Sequence, residues 1–185
     1  MSRIELMAPA GSYEILEKAI DAGADAIYLG LGAFNARINA DNFTLLQLQD
    51  GCHYAHRRSS KVYLTLNTLV NDYEIDDAIT TAVSAYEAGV DGFIVQDIGL
   101  ANKLKSLYPD FNIIASTQMN VFSSDQFKSL KENGYSRVVL PRELSLSEIR
   151  ERTKVAKRYG LETEVFAHGA VCVCASGLCL FSSMN

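Results

Sequence analysis

Three of the four cysteines in this 185-residue chain, Cys172, Cys174 and Cys179, lie within eight residues of one another. They belong to a nearly uncharged run that begins at Glu164 and contains His168. Thiolates that converge on a glycine-containing loop can hold one soft metal. Their C-x-C-x4-C spacing is not that of a zinc finger. Zinc with His168 as a fourth ligand stays open, and an iron–sulfur cluster completed by further cysteines is at least as good an interpretation.

Polar residues follow several strand-like runs, and in parallel α/β proteins such residues converge at one end of the sheet. Near the cysteines, Glu164, His168 and the thiols are the groups able to move protons or attack a carbonyl. Arg142 and Glu143 are further catalytic candidates. Arg142 could clamp a carboxylate or phosphate, or the two could form an ion pair at the rim. The candidates for substrate binding are Asn35, Arg37, Asn67, Gln96, Asp97, Gln118 and Asn120, any of which can instead cap a helix or support a loop.

The elements that position these residues are read from a pattern that occurs four times. A helical segment ends at glycine, and a strand-like run follows after a short link, at Gly23, Gly89, Gly134 and Gly160. Glycine accepts the left-handed conformation that closes a helix. We predict seven strands, at Ile4–Ala8, Ala26–Gly30, Lys61–Asn67, Gly92–Gln96, Asn112–Thr117, Arg137–Leu140 and Glu162–Ala167.

Helical segments are predicted between these runs. In Asp72–Glu87, the residues Ile75, Ile79, Ala82 and Tyr86 share one face at helical spacing. Ser145-Leu-Ser-Glu148 has the form of a capping box, and Ser12, Asp97 and Ser123 or Ser124 are suitable N-caps. Cys52, within the helix-like stretch Leu45–His56, is interpreted as a small buried hydrophobic residue.

Strict alternation of strands and helices favours either a doubly wound sheet or a closed barrel. The first strand lacks a phosphate-binding glycine-rich turn, which weakens the dinucleotide-binding alternative. We therefore predict an α/β fold, an incomplete (β/α)8 TIM-barrel-like structure with about seven of its strands. Residues 1–185 are expected to form the N-terminal portion of a single catalytic domain.

The formal net charge of −5 argues against a global positive field for nucleic acid, although a local patch stays possible. Arg150, Lys154 and Arg158 form a basic stripe interleaved with Glu148 and Glu151, and a solvated helix face is favoured over an RNA contact. No signal peptide is recognised, so a cytoplasmic protein is expected. The uncharged run Val165–Asn185 is too polar for a membrane helix.

A family resemblance rests on several stretches. Glu164-x-Phe166-x-x-Gly169-Ala170-Val171-Cys172-x4-Gly177-x-Cys179 resembles the signature of peptidase family U-32, the collagenase-like proteases. Similar matches occur at Leu6-Met-Ala-Pro9-Ala-Gly11-Ser, Ala22-Gly-Ala-Asp25-Ala-Ile-Tyr28-Leu-Gly30, Phe34-Asn35-Ala-Arg37, Val95-Gln96-Asp97, Ser116-Thr-Gln118-Met-Asn120 and Arg142-Glu143-Leu-Ser145. The resemblance covers essentially the whole chain.

The resemblance implies a barrel-like catalytic domain and, in several members, a [4Fe–4S] cluster held by four cysteines. Cys172 and Cys179 match two of those positions, and the other pair is expected beyond Asn185. Cys174 is not a usual cluster position but stays a possible metal ligand.

The resemblance also implies alternative activities. We favour an iron–sulfur-dependent, oxygen-independent hydroxylase of tRNA or rRNA bases, with RNA and a small carboxylate cosubstrate as partners. The first alternative is a collagenase-like peptidase acting on a protein or peptide. The second is an inactive binding scaffold, in which an open sheet edge invites self-association.

Overall fold

The computed structural model describes residues 4–36, 42–169 and 175–177. Within these ranges there are seven strands: β1 (Met7–Pro9), β2 (Ala26–Leu29), β3 (Lys61–Leu66), β4 (Gly92–Val95), β5 (Ile113–Ala115), β6 (Tyr135–Val139) and β7 (Glu162–Glu164). The helices between them are α1 (Tyr13–Asp21), α2 (Leu45–His56), α3 (Ile75–Ala88), α4 (Ile98–Leu107), α5 (Ser124–Glu132) and α6 (Leu146–Arg158). Short 3-10 turns occupy Asp72–Glu74 and Thr117–Met119.

The strands follow sequence order in the sheet, from β1 to β7. The pairs β1–β2, β2–β3, β5–β6 and β6–β7 are parallel. Parallel neighbours joined by helices are the βα repeat of barrel-like α/β proteins. The prediction of an α/β, incomplete barrel-like fold with about seven strands is therefore confirmed.

Most strands are shorter than predicted, although β6 begins two residues earlier than predicted, at Tyr135, and β1 extends one residue further, to Pro9. The first predicted run starts at Ile4, but Leu6 donates its main-chain N–H to the Asp25 carboxylate, and regular pairing begins only at Met7. At the other end of the chain, β7 stops at Glu164 rather than Ala167, because register with β6 ends where Val139 pairs with Glu164. Hydrophobic runs indicate where a strand lies, and the extent of its partner sets its length.

Contacts divide the chain into two compact units, Met1–Ile94 and Val95–Asn185. In the first unit, α1 and α2 cover strands whose side chains, including Ile27 and Leu64, are fully buried, and α3 packs on α2. Leu16 of α1 is also fully buried, and a Cβ at Gly51 of α2 would lie 2.9 Å from its Cδ1 atom. Gly51 therefore permits the close packing of these two helices. Each fully buried leucine contributes about 1.5–3 kcal/mol.

The buried face of α3 differs from the one expected. Ala78, Ala82 and Ala85 are fully buried, whereas Tyr86 is 47% exposed. The helix contacts α2, and small side chains allow two helices to approach closely. The larger apolar side chains therefore lie beside this seam rather than in it.

In the second unit, α4, α5 and α6 bury Leu100, Leu104, Phe127 and Ala156 together with residues of β5 and β6. The pairing of β5 with β6 contains a register shift after Ile113, so that Ile113 pairs with Tyr135 and Ile114 with Arg137. Such a bulge bends the strand and redirects the side chains that follow.

Local signals set the helix ends as predicted. Ser12, Asp97, Ser123 and Ser145 cap their helices, the last with Glu148 in a reciprocal capping box. The four glycines of the repeated pattern have φ values between 67° and 109°. No helix in the described ranges is long and apolar enough to cross a membrane.

Candidate active site

The segment Ala175–Gly177 is held against the loop that follows β6. The main-chain N–H of Ser176 donates to Oε1 of Glu143 at 2.5 Å. The Ser176 hydroxyl accepts from the main-chain N–H of Arg142 at 3.4 Å and from its Nε at 3.5 Å. Ser176 is only 1% exposed. A short polar side chain is therefore the anchor between these two parts of the chain.

The same segment also contacts the loop that follows β5. Gly177 has a φ of +73°, and a Cβ placed on it would stand 2.3 Å from the carbonyl oxygen of Gln118 and 3.0 Å from Nδ2 of Asn120. Asn120 itself adopts a left-handed conformation with φ 51° and closes the 3-10 turn at Thr117–Met119. Its Oδ1 is buried and accepts no hydrogen bond from another described residue. Only glycine fits the position facing this turn.

These contacts define the cluster formed by Gln118, Asn120, Arg142, Glu143, Ser176 and Gly177, which we call the carboxyl-end cluster. Its first members follow β5, where Ser116 accepts the N–H of Gln118. Arg142 and Glu143 follow β6, whose end is fixed because Leu140 donates to the carbonyl of Glu164. Four residues predicted for the site, Gln118, Asn120, Arg142 and Glu143, are thus brought together.

The electrostatics of this cluster favour the ionised form of Glu143. Partial burial raises the pKa of Glu143, but hydrogen bonds from Ser176 and from its own main chain, together with the Arg142 charge, outweigh that effect. The net result is a pKa below the ordinary glutamate value. Glu143 is therefore suited to hold the Ser176 segment as a carboxylate acceptor at neutral pH.

Glu164 takes part in an ionic group on the sheet. Its carboxylate lies 3.3 Å from Nη1 of Arg137, whose Nη2 lies 2.8 Å from Glu162. The Arg137 side chain is only 12% exposed. Thr163, between the two glutamates, contacts Thr153 of α6 at 3.2 Å, so Glu162 and Glu164 point to the opposite face of the sheet. His168 is exposed.

Two further predicted residues stabilise the loop after β2. Asn35 is 4% exposed, and its Nδ2 donates to the carbonyl of Leu31 and to Oδ1 of Asn42. Asn67, following β3, accepts from the main-chain N–H of Ala36 at 3.0 Å. The structure brings Asn35 and Asn67 to the same loop, where they hold its main chain.

Gln96 and Asp97 follow β4. Oδ1 of Asp97 accepts from the main-chain N–H of Leu100 at 2.8 Å and caps α4. Gln96 is half-buried. The structure therefore gives Asp97 a capping contact, which its N-cap position in the sequence had predicted.

The other site predictions, Arg37, Cys172, Cys174 and Cys179, lie outside the described residues. Within the described ranges, no group of three or more His, Cys, Asp or Glu side chains could hold a metal ion. Cys52 is fully buried, and burial, with the Asp91 charge, raises the pKa of its thiol to about 12. Its interpretation as a buried hydrophobic residue is confirmed.

Sequence reasoning missed Ser176 and Arg137. Ser176 lies between two cysteines, and nothing local distinguishes it from any loop serine. Arg137 could have been recognised from the sequence, because it is a charged residue at the start of the apolar run Val138–Leu140. A charged residue that is buried in a strand needs a partner of opposite charge.

The chain resembles known proteins over nearly its whole length. The family model described as Peptidase family U32 matches residues 11–185. The chain is 38% identical to the 23S rRNA 5-hydroxycytidine C2501 synthase of Escherichia coli strain K12, and the match covers 97% of this chain and 26% of that protein. It is 35% identical, over 97% of this chain and 42% of the relative, to tRNA hydroxylation protein P1 of Bacillus subtilis strain 168.

A relative with another name is the Collagenase of Porphyromonas gingivalis strain W83, 33% identical over 96% of this chain and 44% of that protein. The chain thus spans less than half the length of each of these relatives. Among solved structures, the U32 peptidase Mk0906 superposes with a TM-score of 0.72 at 15% identity, covering 89% of this chain and 69% of that one. That likeness supports the fold, and the match of the family model over nearly the whole sequence shows that the chain belongs to peptidase family U32.

Proposed function

We propose that the full chain hydroxylates bases of transfer or ribosomal RNA, with an iron–sulfur cluster and without molecular oxygen. The observation that carries this proposal is the similarity over 97% of the chain to relatives named as an rRNA hydroxycytidine synthase and a tRNA hydroxylation protein. This chain spans less than half the length of those relatives, so the proposal concerns the whole protein, which we call the full chain.

The thiolates of Cys172 and Cys179 would be this chain's ligands to a [4Fe–4S] cluster. Thiolate donors fit iron–sulfur ligation, and zinc is the weaker alternative. Between the two cysteines, Ser176 and Gly177 are fixed to the loops after β6 and β5. When bound, the cluster would supply one-electron redox chemistry.

Arg142 is the residue we assign to a small carboxylate cosubstrate. Its main chain and Nε are tied to Ser176, which orients the guanidinium. No hydrogen bond joins either of its Nη groups to another residue in the described ranges. A guanidinium can meet a carboxylate with two parallel hydrogen bonds through such groups.

The proposal is tested by deleting the gene, complementing it, and analysing nucleosides of purified tRNA and rRNA by mass spectrometry. We expect one pyrimidine nucleoside carrying an extra oxygen atom to disappear on deletion and to return with the wild-type gene. Identical nucleoside profiles in the deleted and complemented strains would overturn the proposal.

Calorimetry tests the carboxylate assignment separately. Carboxylate metabolites are titrated into the anaerobically purified full chain and its Arg142→Ala and Arg142→Lys variants. We expect the alanine variant to lose at least tenfold in affinity and the lysine variant to recover part of it. Equal carboxylate affinity of the wild type and the Arg142→Ala variant would show that Arg142 does not bind the carboxylate.

A peptidase is the second candidate, favoured by the name of the Porphyromonas gingivalis relative. Under this alternative, Glu164, His168 and the thiols are the groups available for proton transfer or attack. Gelatin digestion by the cluster-free, metal-free full chain, with the Glu164→Gln variant as a control, decides between the candidates. Cleavage that depends on Glu164 would support the peptidase, and absence of cleavage would contradict it.

A further inference from the structure

The negative charge of the chain is not evenly distributed. Residues 1–94 contain 6 Lys and Arg against 13 Asp and Glu, whereas residues 95–185 contain 11 against 9. The formal charge is therefore −7 in the first unit and +2 in the second. The overall value of −5 conceals a basic second unit, so the net charge alone does not exclude a local surface for polyanions.

The basic side chains of the second unit are concentrated on α6. Arg150, Lys154, Lys157 and Arg158 are all exposed. At 3.6 residues per turn these four positions fall within an arc of about 100° and extend along about 12 Å of the helix axis. Ala156, on another side of the helix, is fully buried. The four cations thus share the solvent-facing side of α6.

The acidic residues of α6 neutralise this side only in part. Glu148 is occupied at the start of the helix, where its carboxylate accepts from the main-chain N–H of Ser145 at 2.8 Å. Glu151 forms one exposed salt bridge, to Lys154 at 2.8 Å. No salt bridge joins Arg150, Lys157 or Arg158 to another residue in the ranges that the structure describes. Three cations are therefore available to an external anion.

Helix α5 adds a fifth cation. Nζ of Lys131 lies 3.4 Å from the carbonyl oxygen of Gly160, directly after α6. The negative end of the α6 dipole attracts cations, which accounts for Lys157 and Arg158 in the last turn of α6 and for Lys131 beside it. Arg150 and Lys154 lie before that last turn, and the dipole does not account for them.

We propose that this surface, the α6 basic face formed by Lys131, Arg150, Lys154, Lys157 and Arg158, binds the phosphate backbone of the RNA substrate. The proposal rests on the proposed function, which makes the substrate an RNA. A row of exposed Lys and Arg side chains is the feature that neutralises successive phosphates and releases their counterions. The contacts would position the RNA without selecting its sequence.

The test compares two variants of the full chain that remove the same charge. One carries Arg150→Gln, Lys154→Gln and Arg158→Gln, and the control carries Lys18→Gln, Arg57→Gln and Lys103→Gln at exposed positions on or beside other helices. Glutamine preserves helix propensity, and circular dichroism checks that both variants fold. Binding of unmodified, transcribed tRNA is measured at several salt concentrations.

We expect the slope of log K against log salt to fall by about 2 to 3 in the α6 variant and to stay unchanged in the control. A third variant, Arg150→Lys with Arg158→Lys, should bind RNA nearly as well as wild type, because phosphate neutralisation needs the charge rather than the guanidinium. Equal slopes for the α6 variant and the control would overturn the inference. The inference would also be overturned if the α6 variant bound RNA as wild type does but no longer bound an acidic protein partner.

Failure of this inference is distinguishable from failure of the proposed function. If wild type modifies RNA and the α6 variant keeps its salt dependence, only the α6 basic face is excluded. If wild type produces no hydroxylated nucleoside, the proposed function fails whichever surface binds RNA.

Discussion

Gly177 lies so close to Gln118 that a Cβ atom on the glycine would stand 2.3 Å from the Gln118 carbonyl oxygen. A main-chain oxygen cannot move aside as the end of a flexible side chain can. The contact therefore fixes how the segment Ala175–Gly177 passes the loop after β5, and it can be tested by adding a single methyl group.

Gly177→Ala is expected to destabilise the protein by about 1–3 kcal/mol, since the variant combines a left-handed alanine with a main-chain clash. Gly11→Ala is the matched control, because a Cβ added at Gly11 would meet no heavy atom within 4 Å and Gly11 has no positive φ. Urea denaturation of both variants provides the measurement. Equal stabilities would show that Gly177 does not constrain this segment.

Glu143→Gln is expected to lower the melting temperature at neutral pH. Partial burial raises the pKa of Glu143 in the folded protein, but hydrogen bonds from Ser176 outweigh that effect and leave the pKa below its ordinary value. The stabilisation by Glu143 is therefore fully present above the ordinary value of 4.5 and is lost as pH falls through the lowered value.

Thermal melts between pH 3 and pH 7 check this dependence. The difference between wild type and Glu143→Gln should shrink towards zero at the acid end, whereas Glu87→Gln, at an exposed position on α3, should differ little from wild type throughout. A difference that stays constant over the whole range would contradict an ionised Glu143 as the acceptor.

Replacing Cys172 and Cys179 together by serine is expected to remove most of the iron from the anaerobically purified full chain, because a four-thiolate cluster loses half its ligands. Cys52→Ala should keep its iron, since that thiol is buried in the first unit. Cys174→Ser should keep it as well. Iron analysis and visible absorption measure the effect, and unchanged iron in the double variant would rule out these ligands.

The Cys52 thiol is expected to resist alkylation in the folded protein at pH 8. Burial, with the nearby Asp91 charge, raises its pKa to about 12, so almost none of it is thiolate. Peptide mass spectrometry after iodoacetamide treatment should find Cys52 unmodified in buffer and modified in urea. Rapid modification under native conditions would show that the site is open to solvent.

The sequence alone determined the features that depend on neighbours a few residues apart. Ser145 and Glu148 lie three positions apart, so their capping box could be recognised directly. Gly23, Gly89, Gly134 and Gly160 likewise marked helix ends, because left-handed closure is a property of one residue and its helix. The seven predicted strands followed from the apolar runs together with this glycine pattern, and the family followed from the run around Cys172 and Cys179.

Only the tertiary structure decided which distant residues meet. Ser176 binds Glu143 across 33 positions, and Arg137 binds Glu162 across 25. A serine in a loop and an arginine in a strand carry no local mark of their partners, since such hydrogen bonds are set by how the strands and loops pack. The buried face of α3 was also decided by tertiary packing. Its contact with α2 buries alanines, whereas the hydrophobic pattern had favoured larger side chains. A hydrogen bond between residues a few positions apart can be predicted from their spacing in the sequence. A contact between distant residues depends on how the elements pack, which no single segment specifies.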